Sequence, residues 1–173
     1  PISASGGALQ LFAAVAPKAR VAAHLAAMRE VGVDPREVAI GAVALDGLVP
    51  LLPELATPGP HCVIDIHHEG TDVCILDAGV VAFARTLSVS TADLDTGHEG
   101  RLQRELRQSL AAYRMEGGSE PATFFACGSM AVRVGIDEWL TRVVGAEGRI
   151  LPLPAAPGAD EAERPAFGRA AAL

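Results

Sequence analysis

The stretch "CVIDIHHEGTDVCILDAGVVAFART", residues 62–86, places Asp65 at the end of one strand-like run and Thr71 at the start of the next. A carboxylate and a hydroxyl held at a tight turn between two strands can hold a nucleotide phosphate. Histidines at 61, 67 and 68 lie beside them and invite a metal ion. Along a strand, His61, Asp65 and His67 share a face while His68 falls in the turn or points away. That spacing fits no standard zinc pattern, so the histidines are expected to be strand-end and turn residues and no metal is expected. A thiol nucleophile is disfavoured too. Cys62, Cys74 and Cys127 sit in apolar runs with no helix start or clustered positive charge to lower a thiol pKa. They suit inert core cysteines in a reducing compartment. "CGSMA", 127–131, is not a nucleophile elbow, because Met130 and Ala131 follow Ser129 where a glycine is required. No catalytic residue is expected.

These residues need elements to position them. Residues 61–67, 71–77 and 80–88 read as a three-strand meander joined by Gly- and Asp-containing turns. Leu102, Leu106, Leu110 and Tyr113 fall on one stripe of an amphipathic helix whose other faces carry Arg101, Arg104, Glu105, Arg107 and Arg114, and Gly117-Gly118 ends it. "ATFFACG" reads as a buried strand, "GIDEWLTRVVG" as a short helix and "RILPLP" as a strand, before a loop at 154–160 and a last helix start. The order βββαβαβα is that of the ribonuclease H-like fold. Upstream, residues 8–16 suit a strand, Pro17 the first turn of a helix with Val21, Leu25, Met28 and Val31 at helical spacing, and Gly32 its stop. A short strand at 38–40 and an apolar, helical segment at 43–52 follow. "PELATPGPH" interrupts regular structure, giving three expected parts: a small α/β subdomain at 1–53, a linker at 54–60, and the ribonuclease H-like part at 61–173.

The bulk numbers narrow the function classes. A chain of 173 residues, half of them apolar, can bury a core of its own. The net charge is −7 and Lys18 is the one lysine, so nothing resembles a phosphate-tracking basic face and nucleic acid is not an expected partner. No apolar run approaches the length that spans a bilayer. The chain begins abruptly on a strand-like segment and ends on "FGRAAAL", so the expectation is a piece of a longer protein whose membrane anchor lies elsewhere.

Four stretches carry a resemblance to the actin-like assembly-platform proteins of type IV pili and type II secretion, PilM-type and GspL-type. "LFAAVAPKARVAAHLAAMREVGVDPREVAIGAVAL" resembles the family's strand, "PK" and helix. "CVIDIHHEGTDVCILDAGVVAFARTLSV" resembles its D-I-G-x-x-x-T hairpin and the following strand. "LQRELRQSLAAYR" resembles the helix after that sheet, and "FFACGSMAVRVGIDEWLTRVVG" its G-G-x-A-x-x-x-G-L segment. The resemblance implies an α/β, actin-like ATPase (ribonuclease H-like) fold, with residues 1–53 as a subdomain of the first half. The short connection between Thr91 and Leu102 is more similar to the GspL branch, because PilM-type proteins insert an extra subdomain there. It further implies that Asp65 would face the nucleotide's metal, that the glycine position would admit a phosphate, that Thr71 would donate to it, and that the G-G-x-A segment would back the adenosine. Here that glycine position holds His67, followed by His68 and Glu69, and G-G-x-A reads Gly128-Ser129-Met130-Ala131. A ring and a repelling charge occupy the phosphate's place. The expectation is a vestigial site of Asp65, His67, Thr71, Gly128, Ser129 and Ala131, with no hydrolysis and no cofactor. ATP with Mg is left to a longer parent chain.

By the same resemblance the chain is a cytoplasmic scaffold under a bacterial inner membrane that docks a secretion motor ATPase and other platform subunits, with a homodimer also open. The alternative is a PilM-type protein that binds ATP in its full-length form. Arg101, Arg104 and Arg107 on the long helix, with Trp139 on the next, are the residues expected at a partner surface, since arginine and tryptophan are enriched there. The bland alternative is a solvated helix face and a core tryptophan.

Overall fold

The computed structural model describes residues 2–5, 8–11, 15–35, 38–39, 41–131, 135–153, 160 and 165. Contacts divide the chain into two compact units, Pro1–Ile40 and Gly41–Leu173.

In the first unit β1 (Ile2–Ser5) and β2 (Ala8–Leu11) pair antiparallel, Ile2 opposite Leu11 and Ser5 opposite Ala8. The strand expected at 8–16 is therefore the second arm of a hairpin, with 12–14 outside the described residues. Helix α1 runs Lys18–Glu30 with Pro17 as its N-cap, whose carbonyl accepts from the Arg20 and Val21 amides at 3.0 and 3.2 Å. It ends at Gly32 as expected: the Gly32 amide donates to Arg29 and the Val33 amide to Met28, which satisfies the last carbonyls. Val21, Leu25 and Met28 are only partly buried. Val38 and Ala39 lie in no strand, and Ile40, the end of that expected strand, is outside the described residues.

The second unit opens with two 3-10 segments, Gly41–Leu48 and Pro53–Ala56. The proline-rich stretch thus keeps a short turn, which buries Leu55. Leu45, Leu48, Leu52 and Leu55 together cover one face of the sheet that follows.

That sheet begins with β3 (Pro60–Ile66), β4 (Thr71–Asp77) and β5 (Val80–Leu87). The β4–β5 turn is the two residues Ala78 and Gly79, both at positive φ (50° and 77°), the backbone a right-twisted hairpin demands. Next come α2 (Thr91–Asp95), α3 (Glu99–Met115), β6 (Thr123–Cys127), α4 (Ile136–Val144) and β7 (Gly148–Ile150). The strand order is β5-β4-β3-β6-β7. The meander strands pair antiparallel, while β3–β6 and β6–β7 pair parallel. Parallel neighbours need a crossover, and α3 and α4 supply it. The expected βββαβαβ order is present; the final helix start lies outside the described residues.

Alternation along the strands sorts the two faces. Cys62, Ile64, Ile66, Val73, Ile75, Phe124 and Ala126 face α3 and α4, meeting Leu102, Leu106, Leu110, Tyr113, Ile136 and Leu140. Val63, Cys74, Leu76, Phe125 and Cys127 face the 3-10 segments. All three cysteines are buried and none is in a disulfide. Burial pushes the Cys62 and Cys74 thiols up, Cys74 to about 12, so neither forms a thiolate nucleophile at neutral pH. Among the described residues no helix is long and apolar enough to cross a membrane.

Where β5 hands over to α3, Ser90 and Asp93 form a reciprocal capping box at the start of α2. The Asp93 carboxylate accepts the Ser90 amide at 2.9 Å and its hydroxyl at 2.8 Å, with Arg101 at 3.7 Å. The Ser90 backbone bond first, then its hydroxyl, hold the Asp93 carboxyl below its usual range. A lowered folded-state pKa contributes stability that is present above the unfolded value and lost as pH falls through the folded one. The stability margin of the wild type over Asp93→Asn is therefore complete at neutral pH, starts to fall at about pH 4, and is lost in thermal melts at lower pH as the lowered folded value is passed.

Candidate functional site

In an open sheet with this order, the crevice lies outside the carboxyl ends of the central parallel strands, here β3 and β6. Asp65 is the penultimate residue of β3 and Gly128 follows β6, so the topology brings together two residues that are 63 positions apart. Asp65 is 2% exposed. Gly128 has φ +83°, and a Cβ there would overlap the Asp65 carboxylate and come within 2.5 Å of the Ile66 carbonyl. Only glycine fits this crossing. Ser129 donates its hydroxyl to the Ile66 carbonyl at 3.4 Å, and the Ala131 amide turns back to Gly128 at 3.0 Å. Of the six residues expected at the site, Asp65, Gly128, Ser129 and Ala131 form one tight corner.

The hairpin turn is closed on itself. The His67 amide donates to the Gly70 carbonyl at 3.0 Å, and the Glu69 amide to His67 Nδ1 at 3.3 Å. The His67 carbonyl accepts from the Thr91 amide at 3.0 Å. Thr71 is fully buried and its hydroxyl donates to the Val89 carbonyl at 2.6 Å. Beyond β6 the Gly128 amide donates to the Pro165 carbonyl at 2.9 Å. The His67, Glu69 and Gly128 amides and the Thr71 hydroxyl are thus bonded within the chain, and Glu69 is exposed at the turn. A phosphate taken here would have to displace those bonds and stand beside the Glu69 carboxylate.

Thr71 therefore acts as a structural tie between β4 and the segment after β5. Thr71→Val keeps the shape and deletes the donor, leaving the Val89 carbonyl without it. The expected loss is about 1–3 kcal/mol in chemical denaturation. Thr71→Ser, which keeps the hydroxyl, should lose less.

A residue not anticipated from the motifs completes the polar end of the sheet. Asp72 lies directly opposite Asp65 in the β3–β4 register and is 1% exposed. It accepts from the Thr86 hydroxyl at 2.5 Å, with His67 Nε2 at 3.7 Å. The signal was available, since the turn at 67–70 sets Ile66 against Thr71 and so Asp65 against Asp72. His61 is apart from this group. It is buried, its Nε2 pairs with the Thr57 hydroxyl at 2.8 Å, and four strand residues put it about 13 Å from Asp65. Among the described residues no three His, Cys, Asp or Glu side chains could hold a metal together.

The expected partner residues separate into two kinds. Arg101 is a clamp, bonded to Glu105 at 3.1 Å and to the Ser88 hydroxyl at 2.8 Å. Arg104 and Arg107 are exposed and line a shallow hollow of about 440 Å³ on the outer face of α3 with Gly100, Gln103 and Gln108. Trp139 is half-buried: it packs against the core and also lines a second hollow, of about 190 Å³, with Gln103 and Arg142.

No family model matches the chain, and no curated protein matches it. Solved structures do. A chain of a structure described as a PilM-PilN type IV pilus biogenesis complex matches with a TM-score of 0.71 at 22% identity, over 88% of this chain and 56% of that one. MreB5 of Spiroplasma citri, in crystal structures bound to AMPPNP and to ADP, matches with TM-scores of 0.58 and 0.55 at 12% and 11% identity. Those matches cover 91% and 90% of this chain and 63% and 64% of theirs. The chain thus spans less than two thirds of the length of each of these neighbours. With the strand order β5-β4-β3-β6-β7 and the crevice at β3 and β6, these likenesses give the conclusion that the protein has an actin-like fold.

Proposed function

We propose that this chain is a non-catalytic actin-like scaffold of a pilus- or secretion-type assembly platform, which works through protein contacts and does not turn over nucleotide. The observation that carries the reading is the hydroxyl of Thr71, committed to the Val89 carbonyl at 2.6 Å inside a fully buried site where the actin-like hairpin would present it to a phosphate. The likeness to a chain of the PilM-PilN complex supports the platform setting.

Within that setting, the reading is the cytoplasmic domain of a GspL-type subunit beneath the inner membrane, docking the secretion motor ATPase and neighbouring platform subunits. The short passage from β5 to α3 supports it, since between Leu87 and Glu99 there is only the five-residue α2. A second reading, a PilM-type pilus protein that binds ATP in its full-length form, is favoured by the 0.71 TM-score against the PilM-PilN chain.

The test is calorimetric titration of Mg-ATP into the full-length parent and into this chain. No saturable heat at millimolar nucleotide is the expected result. Saturable binding by the parent that disappears on Asp65→Ala would overturn the scaffold reading and support the ATP-binding branch. Titrating the motor ATPase's amino-terminal domain, and separately a membrane partner's amino-terminal peptide, then distinguishes the two platforms.

A further inference from the structure

The outer face of α3 is basic on a chain whose net charge is −7. Gly100, Gln103, Arg104, Arg107, Gln108 and Ala111 follow one another at helical spacing and line one hollow. Gly100 and Gln103 also line the second, with Trp139 and Arg142 of α4, so the two hollows adjoin along one side of α3 and are taken together as one groove. Arg104, Arg107 and Arg142 make no ion pair among the described residues, whereas Arg101, Arg114 and Arg149 are each paired with a carboxylate. Among the described residues Glu99 is the one acid in the lining. On a chain of net charge −7, three unpaired guanidinium groups are thus concentrated along one groove.

We propose that this groove is a docking surface for an acidic amphipathic helix of a partner protein, whichever platform the chain serves. The fit is chemical and geometric. A guanidinium fork takes a carboxylate through two parallel hydrogen bonds. Arg104 and Arg107 are three residues apart, the separation at which a facing helix presents successive acidic side chains. From Gly100 to Ala111 the face is about 16 Å long, three turns of a docked helix. Gly100 and Ala111 are small enough at its two ends for close approach. Half-buried Trp139 offers the partly desolvated aromatic wall that anchors interfaces.

An anionic membrane is a poorer occupant. Juxtamembrane basic clusters carry about 4–8 Lys or Arg, and here three arginines stand beside Glu99, with exposed Asp137 and Glu138 on α4. Trp139 is tucked between helices, not projecting from them.

Trp139 is the only tryptophan in the chain, so it reports directly on the groove. The probe is a short amphipathic helical peptide with glutamates at i, i+3 and i+7, compared with its Glu→Gln twin and with phosphatidylglycerol vesicles. The expected result is a saturable change in Trp139 fluorescence with the acidic peptide alone. It should weaken with added salt and lose about tenfold or more in affinity in the Arg104→Glu, Arg107→Glu double variant. The same variant should melt at the wild-type temperature, because neither side chain belongs to the core. Any of four outcomes overturns the proposal: no response to the acidic peptide, an equal response to the Gln twin, an affinity unchanged by the double charge reversal, or arginine-dependent binding of the vesicles in place of the peptide.

Discussion

Gly128→Ala should be among the most damaging small substitutions in this protein. Two effects act together. The residue sits at φ +83°, where a side chain costs about 1–2 kcal/mol. Its new Cβ would also overlap the Asp65 carboxylate and lie 2.5 Å from the Ile66 carbonyl, backbone that cannot swing away as a flexible side chain would. Overpacking of that kind costs about 1–3 kcal/mol more. The sum, about 2–5 kcal/mol, is a large share of the 5–15 kcal/mol that holds a typical domain folded. Gly117→Ala is the matched control. It has φ +92° and nothing within 4 Å of the added carbon, so only the backbone cost applies. Urea denaturation of the two variants should show Gly128→Ala lower by about 1–3 kcal/mol. Equal losses would mean that β3 and β6 can separate at their carboxyl ends, and that the corner of Asp65 and Gly128 is not rigid.

The second large effect is Leu102→Ala. Leu102 is fully buried and packs with Ile64, Val73 and Phe124 in the cluster between sheet and helices. Truncation removes the transfer free energy of the side chain and leaves a cavity, together about 2–5 kcal/mol. Arg104→Ala, two residues along the same helix on its outer face, should change stability by less than about 0.5 kcal/mol. Thermal melts of the pair test the orientation of α3, on which the basic groove depends. A large loss at Arg104 with none at Leu102 would mean the helix is turned the other way.

The interior stripe of α3 was legible in the sequence because a buried face must repeat near 3.6 residues, and Leu102, Leu106, Leu110 and Tyr113 do so. The meander was legible for a related reason: runs such as "HCVIDI" and "TDVCILD" are apolar and β-branched and are bounded by Gly and Asp. Hairpin β1–β2 was legible only in part: the strand-like opening and the strand within 8–16 were visible, but not that they pair, because pairing is a contact between two segments and leaves no mark in either alone. The proline content of 53–61 marked the end of one regular segment. It could not show that residues 41–56 pack on the sheet, since that depends on leucines meeting a face made by strands later in the chain.

For the site, local motif and tertiary position contributed differently. The residue types of the hairpin turn, with His67 and Glu69 where a phosphate would approach, are sequence facts, and they set the expectation of a lost nucleotide site. That the Thr71 hydroxyl is turned inward to Val89, that Asp72 stands against Asp65, and that Pro165 caps the Gly128 amide came from the fold. The arginines show the same division. Four of them along one helix were visible as a pattern, yet Arg101 is bound to Ser88 and Glu105 while Arg104 and Arg107 line the hollow on the outer face of α3, beside the one that holds Arg142 and Trp139. The sequence by itself determined the meander, the long helices and the chemistry each carries, because periodicity and turn residues act over a few positions. Tertiary structure alone decided which polar groups are satisfied and which remain available, because hydrogen bonds and ion pairs form between residues that only the packed sheet and helices bring together.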